Sequence, residues 1–344
     1  MSEFDAIVEG SLNWSFLTAA DLEPLAELVA VLAYFDDPIE HRTLADLVDD
    51  YGRGEAHAGT VGRDKGGTIV AYASNRVEIT EQGPQVWMST GVHPAWRHKR
   101  IARKLINWSI DAAKQWHAQS PVANLPLWMG YLLDDKFTGL RRAVGEFGFE
   151  PQRYFFDMHR PLGEDPLPDL SVPEGIRIVR YEPWMSSHVR DVLNEVVTTM
   201  AGGSPIEQDA WEASLTRPEG HPELSWVAIA DDTSLRHSCP RHGDIIGFAM
   251  NAVLREGSGP RAFTEGWTER LGVCPNWQGM GIGLSLLVHS MHSFDEAGLD
   301  SAGLGADTDK PTDADNLREA CGFIAQDQVI LYGQTFPPVA PASR

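Results

Sequence analysis

The sequence predicts an α/β protein of two consecutive domains. Three observations lead there: a motif that occurs twice, the same order of helices and strands ahead of each copy, and a proline-rich acidic stretch between them. In the first copy, a helix with an acidic start (Ala20–Tyr34) is followed by a more polar helix (Ile39–Asp50). Two apolar strands joined by a polar hairpin come next, Ala58–Gly62 and Ile69–Val77. The second copy repeats the series with helices at Trp184–Met200 and Ile206–Leu215, then strands at Ser225–Ala230 and Ile245–Leu254. Each copy then reaches a strand that enters the motif: Gly91–Ala102 aligns without gaps on Gly272–Gly283, sharing Gly, Val, Pro, Trp and Ile. Each closes on a Gly-Phe pair, Gly148-Phe149 and Gly322-Phe323. The segment 163–175 carries three prolines and four acids without periodicity, and reads as a linker. The expected division is residues 1–162, a linker 163–175 and residues 176–344, each domain about 165 residues and of ordinary size.

The motif has a physical reading of its own. Thr268–Val273 is a strand, a polar turn with Pro275 follows, and a helix begins among glycines, its apolar stripe given by Leu284, Leu287, Val288, Met291 and Phe294. Glycines where a loop enters a helix let main-chain N–H groups approach an anion closely. The helix end adds unpaired donors and a partial positive charge. The register of Gln278-Gly279-Met280-Gly281-Ile282-Gly283 fits neither a P-loop, which needs a following Lys-Ser/Thr, nor the Gly-x-Gly-x-x-Gly dinucleotide fingerprint.

Gln278-x-x-Gly281-x-Gly283, preceded by Leu271-Gly272-Val273 and a proline, resembles the diphosphate-binding motif of the GNAT superfamily of N-acetyltransferases. The tandem arrangement is similar to that of the mycothiol synthase family of double GNATs. The resemblance implies two GNAT-type domains, each a mixed, mostly antiparallel sheet flanked by helices. It implies acetyl transfer from acetyl-CoA to a primary amine of a small molecule, with the diphosphate held at Gln278–Gly283 and the pantetheine arm held by the strand Leu271–Val273. The alternative is a non-catalytic scaffold that binds acetyl-CoA as a sensor or makes protein contacts.

In this family a glutamate on the strand before the cradle often deprotonates the amine. Glu269 is expected in that role, sharing a face with Leu271 and Val273 by the two-residue strand period, and Glu265 is its competitor further from the cradle. The first copy has Met88 at the corresponding place and Arg100 where the cradle glycine stands, although Ala102 is small enough. It is therefore expected to be degenerate, holding at most a structural CoA through Val92, Arg97, Arg100, Ala102 and Arg103. The tyrosine that many members place before the Gly-Phe is absent: Leu317 is followed by Arg318, Pro311 replaces a frequent asparagine, and the first copy has Val144. Tyr332, Cys321 or water is left to protonate the thiolate.

A formal charge of −21 argues against nucleic acid, whose backbone demands a basic patch. It suits a cationic acceptor such as an amino sugar, or simply solubility. No apolar run approaches the ~20 residues of a membrane helix, and the start Met1–Glu9 is acidic where a signal peptide is basic. Three cysteines, Cys239, Cys274 and Cys321, build no disulfide framework, so a cytoplasmic location is expected. The oligomeric state is not legible. No metal is expected. His237, Cys239 and His242 have ligand chemistry without zinc spacing, Asp307, Asp309, Asp313 and Asp315 lack the glycine and glutamate of a calcium loop, and His289 and His292 flank a helix stripe.

Overall fold

A computed structural model of the chain describes residues 12–39, 41–52, 56–80, 83–198, 205–230, 245–256, 263–308 and 312–339. The hairpin loop with His237, Cys239 and His242 lies outside the described residues, as do Asp309 and Pro311. The chain divides into two compact units, residues 1–155 with 327–344, and residues 156–326.

In unit 1, strand β1 (Asn13–Phe16) leads through a short turn into helix α1 (Leu22–Asp36) and helix α2 (Leu44–Gly52). The turn is fixed by Asp21, whose carboxylate accepts the main-chain N–H of Thr18 at 2.8 Å, a capping interaction that satisfies a donor the turn leaves open. Helix α1 buries Leu22, Leu25, Leu28 and Val29 and stops where Asp37 turns left-handed at φ 45°. Strands β2 (Ala56–Arg63), β3 (Ile69–Thr80) and β4 (Gly83–Val92) form an antiparallel meander. Helix α3 (Ile101–Gln119) then crosses back to β5 (Leu127–Asp134), which runs parallel to β4. Helix α4 (Thr138–Glu146) and strand β6 (Glu150–Pro161) follow. Residues 69–73 of β3 are all buried, because α1 and α2 cover one face of the sheet and α3 the other.

Unit 2 repeats the plan. Strand β7 (Ile176–Arg180), helices α5 (Ser186–Thr198) and α6 (Gln208–Thr216), and strands β8 (Trp226–Ala230), β9 (Ile245–Glu256) and β10 (Phe263–Val273) come in order. Helix α7 (Ile282–Glu296) crosses to β11 (Ser301–Thr308), parallel to β10, and helix α8 (Thr312–Cys321) and strand β12 (Ile324–Phe336) end the series. Every other pairing whose register is given in either unit is antiparallel.

The units differ from the expected 1–162 and 176–344 in what closes each sheet. Unit 1 runs β1-β2-β3-β4-β5-β12, with the last strand of the chain antiparallel to β5 from Val329↔Asp134 to Phe336↔Leu127. Unit 2 runs β6-β11-β10-β9-β8-β7 and takes the end of β6 beside β11. Each unit is thus completed by a strand from the other half of the sequence. The expected linker lies along α7, where the Pro168 carbonyl meets His292 Nε2 at 2.9 Å and the Ser171 carbonyl accepts from Ser285 Oγ.

Candidate acyl-transfer site

Parallel pairing between β10 and β11 runs from Glu265↔Ser301 to Thr268↔Leu304 and stops, although β10 continues to Val273 and β11 to Thr308. The two strands therefore part, and the opening between them leads to the turn before α7. Unit 1 has the same opening, with β4 and β5 paired only over Gln85–Trp87 and Trp128–Gly130.

The turn is built alike in both units. Cys274 N–H donates to the Ile246 carbonyl and Trp277 N–H to the Cys274 carbonyl, each at 2.8 Å; His93 to Val70 and Trp96 to His93 repeat both bonds at 2.8 Å. Gln278 Nε2 donates to the Val273 carbonyl at 3.0 Å, and Arg97 Nε to the Val92 carbonyl at 3.0 Å. Both side chains brace the turn against the strand end, so Gln278 serves the cradle as a strut. Proline after the strand and the buried Trp277 fix the remaining geometry.

The difference lies in what projects from the turn. Gly281 caps α7 at φ 82°, ψ 2°, with no side chain satisfying the helix end. A Cβ at Gly279 or Gly281 would meet nothing within 4 Å, and one at Gly283 only a Val273 methyl at 3.8 Å. Main-chain donors at the start of α7 therefore face open space, a layout suited to a diphosphate. Met280 and Ile282 do not crowd it: Ile282 is buried and Met280 packs against the core. Leu284, expected in the buried stripe, is 42% exposed beside this opening, and Leu286 takes its place in the core.

In unit 1, Arg100 holds the same left-handed conformation at φ 56° and its side chain is exposed. The neighbouring cations expected to meet phosphate are already engaged. Arg97 forks onto Asp36 at 2.7 and 2.5 Å, and Arg103 meets Glu146 at 2.6 Å. Ala102 packs partly buried on α3, and Val92 is buried.

The two carboxylates of β10 stand differently from expectation. Register shifts between Thr268↔Asn251 and Arg270↔Met250, so Glu269 is the extra residue of a β-bulge. A bulge breaks the two-residue period. Val273 faces α7 through Gly283, whereas Gly272 faces Val196 of α5 and Arg270 reaches Ser214 on α6 at 3.0 Å. Glu269 is turned to the α5/α6 side too, where it pairs with Arg217 at the end of α6. It does not share the face of Leu271 and Val273. Its side chain remains 27% exposed, one residue past the last β10–β11 pair at Thr268↔Leu304.

Glu265 is buried. Its Oε1 receives His159 Nδ1 and Ser301 Oγ, both at 2.7 Å. His159 comes from β6, so the exchanged strand supplies this neighbour, and no local sequence signal pointed to it. Tyr332 belongs to unit 1, where Arg141 Nε donates to its hydroxyl at 3.1 Å. Cys321 is in unit 2 but buried, with its thiol pushed up to about 11 by desolvation. His289 and His292 bond to the Ser285 and Pro168 carbonyls at 2.7 and 2.9 Å. Among the described residues no helix is long and apolar enough to cross a membrane.

Comparison with known proteins agrees with this geometry. The family model for the acetyltransferase (GNAT) family matches residues 24–126 and 203–323. The chain is similar to the mycothiol acetyltransferase of Thermomonospora curvata, 28% identical over 79% of the chain and 80% of that protein. It is also similar to that of Thermobifida fusca, 24% identical over 82% and 84%. Among solved structures, a GCN5-related N-acetyltransferase from Sphaerobacter thermophilus shares the fold with a TM-score of 0.62 at 21% identity, covering 97% of this chain and 98% of that one. A tandem GNAT protein from the clavulanic acid biosynthesis pathway does so at 0.53 and 16%, covering 95% and 99%. With the family model matching both halves of a chain folded into two such units, the protein belongs to the GNAT acetyltransferase family and is an acyltransferase.

Proposed function

We propose that unit 2 moves an acetyl group from acetyl-CoA to the primary amine of a small molecule, an amino sugar or another cationic metabolite, and that unit 1 contributes no turnover. The observation that carries this is the opening between β10 and β11, which ends at a main-chain cradle free of side chains and has the partly exposed Glu269 next to the point where the strands part. The residues present fit acetyl-CoA. N–H groups of residues 279–283 would hold the diphosphate, and the strand Leu271–Val273 would line the arm. Relatives named for mycothiol acetylation support a small-molecule acceptor.

Glu269 is the proposed proton acceptor. A protonated amine has no lone pair to attack with, so the ammonium proton must leave first. Arg217 fixes the carboxylate at the bulge, on the α5/α6 side of the sheet. The freed nitrogen attacks the thioester carbonyl, the C–N bond forms as the C–S bond breaks, and the amine's second proton leaves to solvent. The departing thiolate takes its proton from water, since the Cys321 thiol is buried.

The test is Glu269→Gln, assayed by thiol release over a panel of primary amines. Turnover should fall by roughly 10²-fold or more at neutral pH, the scale of general-base catalysis, and recover as rising pH supplies free amine. Acetyl-CoA affinity should hold. Near-normal turnover at neutral pH refutes the role.

A further inference from the structure

Glu265 and His159 lie beside, not at, the opening. Glu265 is three residues before Thr268, where the strands part, a distance of roughly 10 Å at the strand rise. It shares a face with Trp267, because a Cβ on Gly303 would strike Trp267 at 2.5 Å and Glu265 Cδ at 2.9 Å. That face is opposite α7, since a Cβ on the intervening Gly266 would strike Phe294 at 2.2 Å. It is the side to which Glu269 also turns. The missing side chain at Gly303 makes the room in which indole and carboxylate sit on β11.

The chemistry of this cluster is one-sided. A carboxylate accepts, so the hydrogen in its bond to His159 sits on Nδ1, and Nε2 is the ring atom left for a further partner. Glu265 Oε1 takes both of its bonds, and Oε2 has no partner among the described residues. The imidazole is 21% exposed and lies 5.8 Å from the Trp267 ring, tilted by 53°. The free carboxylate oxygen beside a half-buried aromatic face suits O–H or N–H donors and repels carboxylates and phosphates.

We propose that Glu265, His159 and Trp267 form an acceptor-substrate subsite that binds a hydrogen-bond-donating group, a hydroxyl or an ammonium, about 10 Å along β10 from the point where the strands part. This rests on the acetyl-transfer reading above and names the kind of amine it uses: an elongated one with a donor at its far end. The strand exchange is what equips the site, since His159 reaches it on β6.

The experiment compares three primary amines of one length: octylamine, aminooctanol and diaminooctane. With the wild-type protein, kcat/KM for at least one of the two donor-bearing amines should exceed that for octylamine by about 10-fold or more, chiefly through KM, as one or two bonds to a charged or aromatic-flanked acceptor would give. An advantage confined to diaminooctane identifies an ammonium; one shared with aminooctanol identifies a neutral donor. Glu265→Ala and His159→Ala should each shrink the advantage to less than about 3-fold while acetyl-CoA still saturates. Equal use of all three amines by the wild type, or an advantage that survives both substitutions, overturns the subsite. Failure to acetylate any amine instead overturns the acetyl-transfer reading. Should both variants misfold, nitrogen NMR of wild-type imidazoles decides the matter, because the preferred amine must move the His159 Nε2 resonance and octylamine must not.

Discussion

The cradle makes a quantitative claim at Gly281. Its φ of 82° costs an L-residue about 1–2 kcal/mol, yet a Cβ there meets no protein atom within 4 Å. Gly281→Ala therefore tests strain with little occlusion. At ~2–4 °C per kcal/mol for a domain of this size, it should lower the unfolding midpoint of unit 2 by about 2–8 °C. Gly281→Glu carries the same strain and adds a carboxylate where the diphosphate would sit. Losing two or three charge-assisted hydrogen bonds of about 1.5–3 kcal/mol each removes ~3 kcal/mol or more of binding, so CoA affinity should drop by at least ~10²-fold. Isothermal calorimetry with CoA gives the affinity, and circular dichroism confirms that the fold persists. Arg100→Gly is the mirror control: relieving the same strain in unit 1 should add up to about 1 kcal/mol and leave CoA binding by unit 2 unchanged. If Gly281→Glu binds CoA normally, the cradle is not the diphosphate site. If Ala and Glu lose affinity equally, backbone strain and not occupancy is what matters there.

Other expectations follow from burial. Met88→Ala empties a buried site among Ile106, Ile110 and Val144 and should cost about 2–5 kcal/mol of stability, while turnover per folded molecule stays within a few-fold; a loss matching Glu269→Gln would place the chemistry in unit 1. Cys321, with its thiol raised to about 11, should resist alkylation near neutral pH until the protein unfolds. Because its folded value lies above the unfolded one, the associated stability is whole below the ordinary thiol range and is lost as pH rises through about 11, which a melt series in Cys321→Ala and wild type would reveal.

The parts read correctly from sequence are those where local chemistry leaves one option. Glycine takes the left-handed conformation of Gly281 in front of a helix without strain, and Pro275 and Trp277 fix the turn, so the turn and its second copy stand out in the string. What the string hides is pairing. Strands β6 and β12 carry no local mark of the sheet they join, since the same alternation serves either, and the exchange becomes visible only when β12 is found against β5. The engagement of Arg97 with Asp36 and of Arg103 with Glu146 joins residues far apart in sequence, so motif spacing alone does not reveal these carboxylate partners. Parity failed at Glu269 for a different reason. Counting by twos assumes an unbroken ladder, and one extra residue reverses the faces beyond it.

That extra residue also separates the two units more deeply than the identity of any side chain. Strand β4 pairs with β3 in unbroken register from Thr80↔Gly83 to Ala71↔Val92. Without a bulge, the residue three before Gly91 must lie on the opposite face from that glycine. Gly91 faces Leu32 of α1, and Met88 accordingly packs toward α3 in the core. In β10 the same spacing before Gly272 falls on the bulge, and Glu269 comes round to the α5/α6 side, where Arg217 meets it. A glutamate at position 88 would therefore be a buried charge without a partner, not a base. The contrast between the units is one of backbone as well as side chain: the unbroken strand of unit 1 sends Met88 into the core, whereas the bulge of unit 2 turns Glu269 to the α5/α6 side.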